Sequence, residues 1–485
     1  MSGDGRLTAV LNPDDIGQDE CGVFGVWAPG EQVAHLAYFG IYALQHRGQE
    51  AAGIAASDGE KIMVYKDTGL VSQIFNEEAL QGLPGHIAIG HVRYSTSGDR
   101  SWINAQPMLG PTEFGTVALG HNGNLVNVRD LMRRVQEFSG SDLSGELGHG
   151  SSTDTAVMTT LMGSMSGYAD LEDLAVAMLP MLAGAFSLVF MDENTLYAAR
   201  DPNGFRPLVL GKLERGWVVA SETAALDIVD ATFVREVEPG ELLIINEDGV
   251  RSRIFSQPTP HVCAFEYVYL ARPDTQISGR RINSVRNAMG CRLAIEHAID
   301  ADIVISTPDS GTPAAIGYAQ ESGIPYAQGL VKNAYVGRTF IRPTQAMRQL
   351  GIRLKLNPLR EVIEGKRIVV VDDSIVRGNT QRQIVKMLKH AGAAEVHVRI
   401  SSPPVAWPCF FGIDFPTRGE LIANALDTDA IRDSLGADSL GYLSLHGMYA
   451  AIGLEPGNLC TACFTGEYPV PVDLREQRGQ ARSAC

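Results

Sequence analysis

Apolar positions along the chain change rhythm near residue 260. Before that point they come in short runs punctuated by glycine and turn residues. "HIAIGHVRYST" (86–96), "GTVALGHNGNL" (115–125), "FSLVFMDENTLYAARDP" (186–202) and "WVVASET" (217–223) have strand lengths and strand composition, bounded by turn formers. Two stretches, "LAYFGIYALQHRG" (36–48) and "STDTAVMTTLMGSM" (152–165), read as helices. The run "LAVAMLPMLAGAFSLVFM" (174–191) reaches the length of a membrane span, but Pro180 and Gly184 interrupt it. "LEDLAVAM" then reads as a helix and "AFSLVFM" as a buried strand. The pattern from 21 to 255 predicts an α+β domain with antiparallel sheets.

A polar, proline-bearing passage around 251–265 marks a boundary. Beyond it, "ADIVISTPDSGTPAAIGYAQESG" (301–323), "IPYAQGL" (324–330) and "KRIVVVDDSIVRGNTQRQIVKMLKHAGAAEVHVRISS" (366–402) repeat strand, loop and helix. Continuous apolar strands such as "RIVVV" belong to a mainly parallel sheet covered on both faces. Residues 256–470 are therefore expected to form an α/β domain, with 471–485 as a tail and 1–20 as a polar arm.

Length supports two domains, since 485 residues exceed one ordinary core. A net charge of −16 and a pI near 5.2 argue against nucleic-acid or membrane partners. The polar N-terminus lacks the apolar core of an export signal, so a cytoplasmic location is expected. Seven cysteines in this length do not make a disulfide framework; thiolate or metal chemistry is the better reading.

"IVVVDDSIVRGNT" (368–380) is a buried strand, two aspartates and a small polar loop that opens a helix. Loop and helix N-terminus offer backbone N–H groups to a phosphate, and the carboxylates suit a sugar's hydroxyls and a divalent metal. "STPDSGTPAA" (306–315) is a second loop suited to pyrophosphate. "LVKNAYVGRTFIRPTQAMRQLGIRLKLNP" (330–358) concentrates basic residues, Lys332 and Arg338 among them, as a lid over an anionic substrate would. The thirteen residues resemble the phosphoribosyl-pyrophosphate loop of type I phosphoribosyltransferases. That resemblance implies substrate contacts from Lys332, Arg338, Asp372, Asp373, Ser374, Arg377, Gly378, Asn379 and Thr380. It also implies one Mg²⁺ per subunit at Ser310, Asp372 and Asp373.

The acidic arm ends at Glu20, directly before "CGVFG". Were Cys21 the first residue, its own α-amine, with an ordinary pKa near ~8, would serve as base for its thiol. A thiol attacking an amide also needs oxyanion donors and a grip on its substrate. "GHVRYST" supplies Arg93 for an α-carboxylate and "SSTDTAV" supplies Asp154 for an α-amine. "GHNGNL" supplies Asn122 and the Gly123 N–H for an oxyanion hole. With "ALQHRGQEAAGIA" (43–55), these residues resemble the class II glutamine amidotransferase domain, an N-terminal-nucleophile hydrolase, which implies that the antiparallel sheets are stacked. The arm 1–20 then resembles a propeptide.

The two halves in this order are similar to the amidophosphoribosyltransferase family over roughly residues 21–470. The resemblance implies glutamine and phosphoribosyl pyrophosphate as substrates and 5-phosphoribosylamine as product, at the committing step of purine synthesis. It also implies purine nucleotide inhibitors and a homotetramer. "NLCTACFTGEYP" contains a Cys-x-x-Cys; with Cys263 and Cys409, its Cys460 and Cys463 suit zinc or a cubane cluster equally on chemistry alone. One branch of the family joins a propeptide to a [4Fe–4S] cluster, which implies one cluster per subunit on these four. Cys291 reads as core and Cys485 as tail. Two rivals stand beside this reading: a salvage-type phosphoribosyltransferase and a nucleotide-sensing regulator, each with an inactive front domain.

Overall fold

The computed structural model describes residues 21–94, 102–139, 153–333, 356–413, 415 and 418–472. They fall into two compact units.

The front unit is built on two antiparallel sheets. The first runs in the order Thr232–Glu236, Val209–Leu213, Gly216–Ala220, Gly22–Trp27, Ile87–Arg93, Ala51–Ser57, Ile62–Thr68. The second runs Gly249–Ile254, Glu241–Asn246, Leu196–Arg200, Gly184–Met191, Gly115–Leu125, Met108–Thr112. Val23, Ile89 and Val219 of the first pack with Ala118, Val189 and Leu243 of the second in one buried cluster, so the sheets are stacked face to face. Helices cover the outer faces. Val33–Ala43 and Thr223–Ile228 pack on Phe24, Ile54 and Ala88 of the first sheet. Val128–Ser139, Asp154–Ser164 and Leu171–Met178 pack on Phe186, Leu188 and Ile244 of the second. Central strands are thereby buried on both faces, which is why Gly184–Met191 is apolar at nearly every position. Each large side chain buried there contributes about 2 kcal/mol.

The interrupted apolar run forms the expected pair, helix Leu171–Met178 and strand Gly184–Met191, joined by the 3₁₀ turn Leu179–Met181. No helix among the described residues is long and apolar enough to cross a membrane. The helix Val128–Ser139 was not expected. Its apolar residues Val128, Leu131, Met132 and Val135 nonetheless recur at helical spacing, with Leu131 and Val135 buried and Val128 and Met132 packed against the same core.

The rear unit carries a parallel sheet in the order Ile303–Ser306, Arg367–Asp372, Glu395–Ile400, Ser439–Tyr442. Ile305, Ile368, Val370, Val396 and Val398 form its core with Ile384, Leu388 and Ile431 from the helices Asn379–His390 and Thr428–Leu435.

The contact units differ from the expected division at 255/256. The described residues from 21 to 282, together with 408–413, 415 and 454–472, pack with the front unit. Two local features account for this. Strand Val262–Cys263 pairs in parallel with Leu459–Cys460, and Arg47 forms a buried ion pair with Glu266.

Candidate active sites

Cys21 sits just ahead of the central strand Gly22–Trp27, where Gly22 pairs with Val92 of Ile87–Arg93. That pairing carries Arg93 and Tyr94 to its side. The thiol is buried, with Sγ 3.4 Å from both the backbone N and O of Tyr94. Arg93, Tyr94, Gln106, His121, Gly123, Thr153 and Asp154 line one small cleft with it.

Asn122 and Gly123 lie in the middle of a strand, opposite Ser187 and Phe186, rather than in the hairpin turn that Asn-Gly usually marks. The Asn122 amide is fully buried, and among the described residues neither its oxygen nor its nitrogen has a hydrogen-bond partner. Leaving such a group unpaired costs about 1–3 kcal/mol, so a pairing group is expected to arrive from outside the protein. Gly123 has φ of 143°, and a Cβ there would lie 2.1 Å from the Ala185 carbonyl oxygen. Only glycine holds that backbone.

Asp154 is the first residue of the helix Asp154–Ser164, whose N-cap Thr153 accepts from the Ala156 N–H. Burial works against its charge. The His121 ring, 3.4 Å away, and the N–H groups of Leu125 and Thr155 outweigh that and hold the carboxyl below its ordinary value. The His121 backbone is fixed in turn, its main-chain N–H donating to Gln106 Oε1 at 2.7 Å. His91 lies beneath, its Nε2 donating to the His121 carbonyl at 2.9 Å, and burial pushes its pKa down to about 3. His91 is thus a neutral strut.

The structure therefore gathers Cys21, Arg93, Gly123 and Asp154 in one cleft, with Asn122 adjoining Gly123 in its strand. Sequence reasoning missed Tyr94, Gln106, His91, His121 and Thr153. Both histidines follow a glycine inside the quoted strands, a repeated Gly-His signal that was legible.

In the rear unit, Asp372 ends its strand and Asp373 follows, both buried. The Ser310 and Ser374 hydroxyls donate to Asp373, while the Asp373 N–H and the Gln381 amide donate to Asp372. Burial, and then the Asp373 carboxylate, push the Asp372 pKa well above the usual range. Gly378 caps the helix Asn379–His390 at φ 81°. Asn379 accepts from Arg382, Arg377 lies 3.6 Å from Glu420, and Lys332 pairs with Asp309 of the 306–315 loop. Thr380 follows in the first turn of the helix. Arg338 and most of the expected basic lid lie outside the described residues.

Cys263 faces Cys460 across the two-residue parallel pairing, and Cys463 follows on the short helix Ala462–Thr465. All three are buried, and neither they nor Cys409 form a disulfide among the described residues. Burial pushes Cys460 up to about 12. It also raises Cys463 strongly, with Cys263, Cys409 and Cys460 adding to the effect. The four thiols thus share one neighbourhood of the front unit. No three His, Cys, Asp or Glu groups among the described residues close on a single-ion site. Cys291 lies apart in the rear unit, its thiol donating to the Gly317 carbonyl.

Residues 91–228 match the model of a glutamine amidotransferase domain. An amidophosphoribosyltransferase of Mycobacterium tuberculosis is 61% identical, spanning 96% of this chain and 89% of its own. The chain belongs to the amidophosphoribosyltransferase family. A Synechococcus elongatus member is 49% identical over 98% of this chain and 97% of its own. The solved Bacillus subtilis glutamine phosphoribosylpyrophosphate amidotransferase, in complex with ADP and GMP, superposes with a TM-score of 0.86 at 48% identity. It covers 94% of this chain and 98% of its own. Family membership makes the chain a glycosyltransferase with a glutamine amidotransferase domain, and agrees with antiparallel sheets in front of a parallel one.

Proposed function

We propose that the chain makes 5-phosphoribosylamine from phosphoribosyl pyrophosphate with nitrogen taken from glutamine, the first committed step of purine nucleotide synthesis. The observation that carries the glutamine half is the unpaired, buried Asn122 amide beside Cys21, Arg93 and Asp154. Arg93 holds the substrate's α-carboxylate and Asp154 its α-ammonium. Cys21 Sγ attacks the side-chain amide carbon, and the amide oxygen becomes an oxyanion that accepts from Asn122 Nδ2 and the Gly123 N–H. The thiol proton passes through the Cys21 α-amine, free once residues 1–20 are removed, to the departing nitrogen. A glutamyl thioester and ammonia result, and water cleaves the thioester to glutamate.

The second half-reaction belongs to the rear loops. Asp372 and Asp373 take the ribose hydroxyls, while Ser374, Arg377, Gly378, Asn379 and Thr380 hold the 5-phosphate with helix N–H groups. Lys332 and Arg338 face the pyrophosphate. Ammonia attacks C1, and the C1–O bond to pyrophosphate breaks. Ser310, Asp372 and Asp373 offer three hard oxygen donors, linked through the Ser310–Asp373 bond, which suits one Mg²⁺ per subunit. That ion would neutralise the leaving pyrophosphate.

Cys263, Cys409, Cys460 and Cys463 would hold one [4Fe–4S] cluster per subunit. The four thiols share one neighbourhood; four thiolates with no companion histidine suit zinc or a cubane cluster alike, and the resemblance to the family branch with a propeptide favours the cluster. Its contribution is to tie segments of the fold together. Purine nucleotides as inhibitors, a homotetramer and a cytoplasmic location complete the reading. The ADP and GMP in the Bacillus subtilis relative support the ligand class.

The test compares pyrophosphate release with glutamine and with ammonia. Cys21→Ala should abolish the first and leave the second measurable. Equal loss of both would overturn the two-site reading. Pyrophosphate release in the parent that needs a free base and neither glutamine nor ammonia would favour the salvage-type rival, and none at all the regulator.

A further inference from the structure

Residues 408–413 are nearly 300 positions from the Asn122 strand in sequence, yet they pack against it within the front unit. Asn124 Nδ2 donates to the Phe410 carbonyl at 3.0 Å. Arg206 donates to the Phe411 carbonyl through Nε at 3.0 Å and Nη2 at 2.6 Å. The Phe411 ring stacks on Phe205, centroids 4.3 Å apart and planes at 15°. Gly412, at φ 116°, approaches so closely that a Cβ on it would lie 3.2 Å from Gly123 Cα and 3.3 Å from Arg206 Nη2.

The grip on this segment is itself anchored. Arg206 lies 3.5 Å from Glu266, which accepts from Arg47 at 3.1 and 2.6 Å, and Arg47 pairs with Glu222. All four side chains are almost wholly buried. Buried charges are tolerated only when paired, and their alternatives are costly, so such an array fixes its members in one arrangement. Two of Arg206's donors are spent on one backbone carbonyl of the 408–413 segment.

We propose that Asn124, Arg206 and Gly412 are positioning residues of the glutamine half-reaction. They seat the 409–412 segment against Gly123 and so fix the Asn122–Gly123 oxyanion pair. The inference rests on the glutamine-site assignment above. Gly123 has no side chain to lock it, and an oxyanion hole works only with donors near 3 Å from the developing charge. Strand pairing with Phe186 sets the Gly123 backbone, and what abuts it helps to hold the alignment.

The experiment uses the full chain with Asn124→Ala and Gly412→Ala, the second as a variant that crowds Gly123 directly. The expected result is a kcat for glutamine hydrolysis lower by about tenfold or more, because small misplacements at a reacting centre are costly. KM for glutamine should stay within about twofold, since Arg93 and Asp154 are untouched. Ammonia-dependent pyrophosphate release and melting temperature should match the parent for Asn124→Ala. The proposal stands if either variant shows this split. It is wrong if neither does, whether hydrolysis is unchanged or whether kcat, ammonia-dependent activity and melting temperature fall together. Cys21→Ala runs alongside: glutamine hydrolysis surviving in it would defeat the glutamine-site assignment instead.

Discussion

Asp154 shows how one residue's surroundings set its working range. Desolvation alone would keep a buried carboxyl neutral, and a neutral group would grip an ammonium poorly. His121 and two backbone N–H groups reverse that and depress its pKa. The sign follows directly. A carboxyl whose folded pKa is depressed adds stability that is complete above its unfolded value, near ~3.9, and lost as pH falls through the folded value. Asp154→Asn should therefore destabilise the protein by the same amount at pH 7 and pH 5, with the gap narrowing only below about pH 4. Urea midpoints at the three pH values measure this; a gap that closes between pH 7 and pH 5 would contradict it. Glutamine KM in the variant should rise by about tenfold or more, the worth of a charged hydrogen bond.

At the scale of elements, the helix Asp154–Ser164 delivers that carboxylate, and its start depends on one hydroxyl. Thr153 is buried and caps the Ala156 N–H at 3.3 Å. Thr153→Ala should cost about 1 kcal/mol of stability and raise glutamine KM by letting the first turn fray, while Thr153→Ser should restore both. An unchanged KM in the alanine variant would separate the cap from substrate binding. This helix was legible in "STDTAVMTTLMGSM", and so were the strands that carry Arg93, Asn122 and Asp372, because their apolar runs are long and bounded. The mid-strand setting of Asn122–Gly123 was legible as well, because the stretch read as a strand, Gly115–Leu125, contains the dipeptide. The dipeptide is a strong local turn signal, and the pairing with Gly184–Met191 overrides it. His121 and Gln106 were missed because their roles come from cross-strand neighbours, which spacing does not encode.

For the whole molecule, the chain returns to its front unit twice after leaving it, through 408–413 and through the described residues 454–472. Local pattern gives no warning of this, since the returning strand is two residues long and pairs only Val262 with Leu459 and Cys263 with Cys460. The four cysteines did mark the convergence, by type though not by spacing. Their segments are distant in sequence, so a metal centre on them requires the folded chain and in turn ties the returning segments down. Anaerobically prepared protein should carry about four irons per chain, the stoichiometry of a four-thiolate cubane. Serine at Cys263, Cys409, Cys460 or Cys463 should lower iron content and melting temperature together, and should expose the residues beyond 454 to limited proteolysis. Cys291→Ser should leave iron unchanged, because that thiol is in the other unit and bonds Gly317. One zinc and no iron in such a preparation would overturn the cluster, and the glutamine and phosphoribosyl sites would still stand on their own residues.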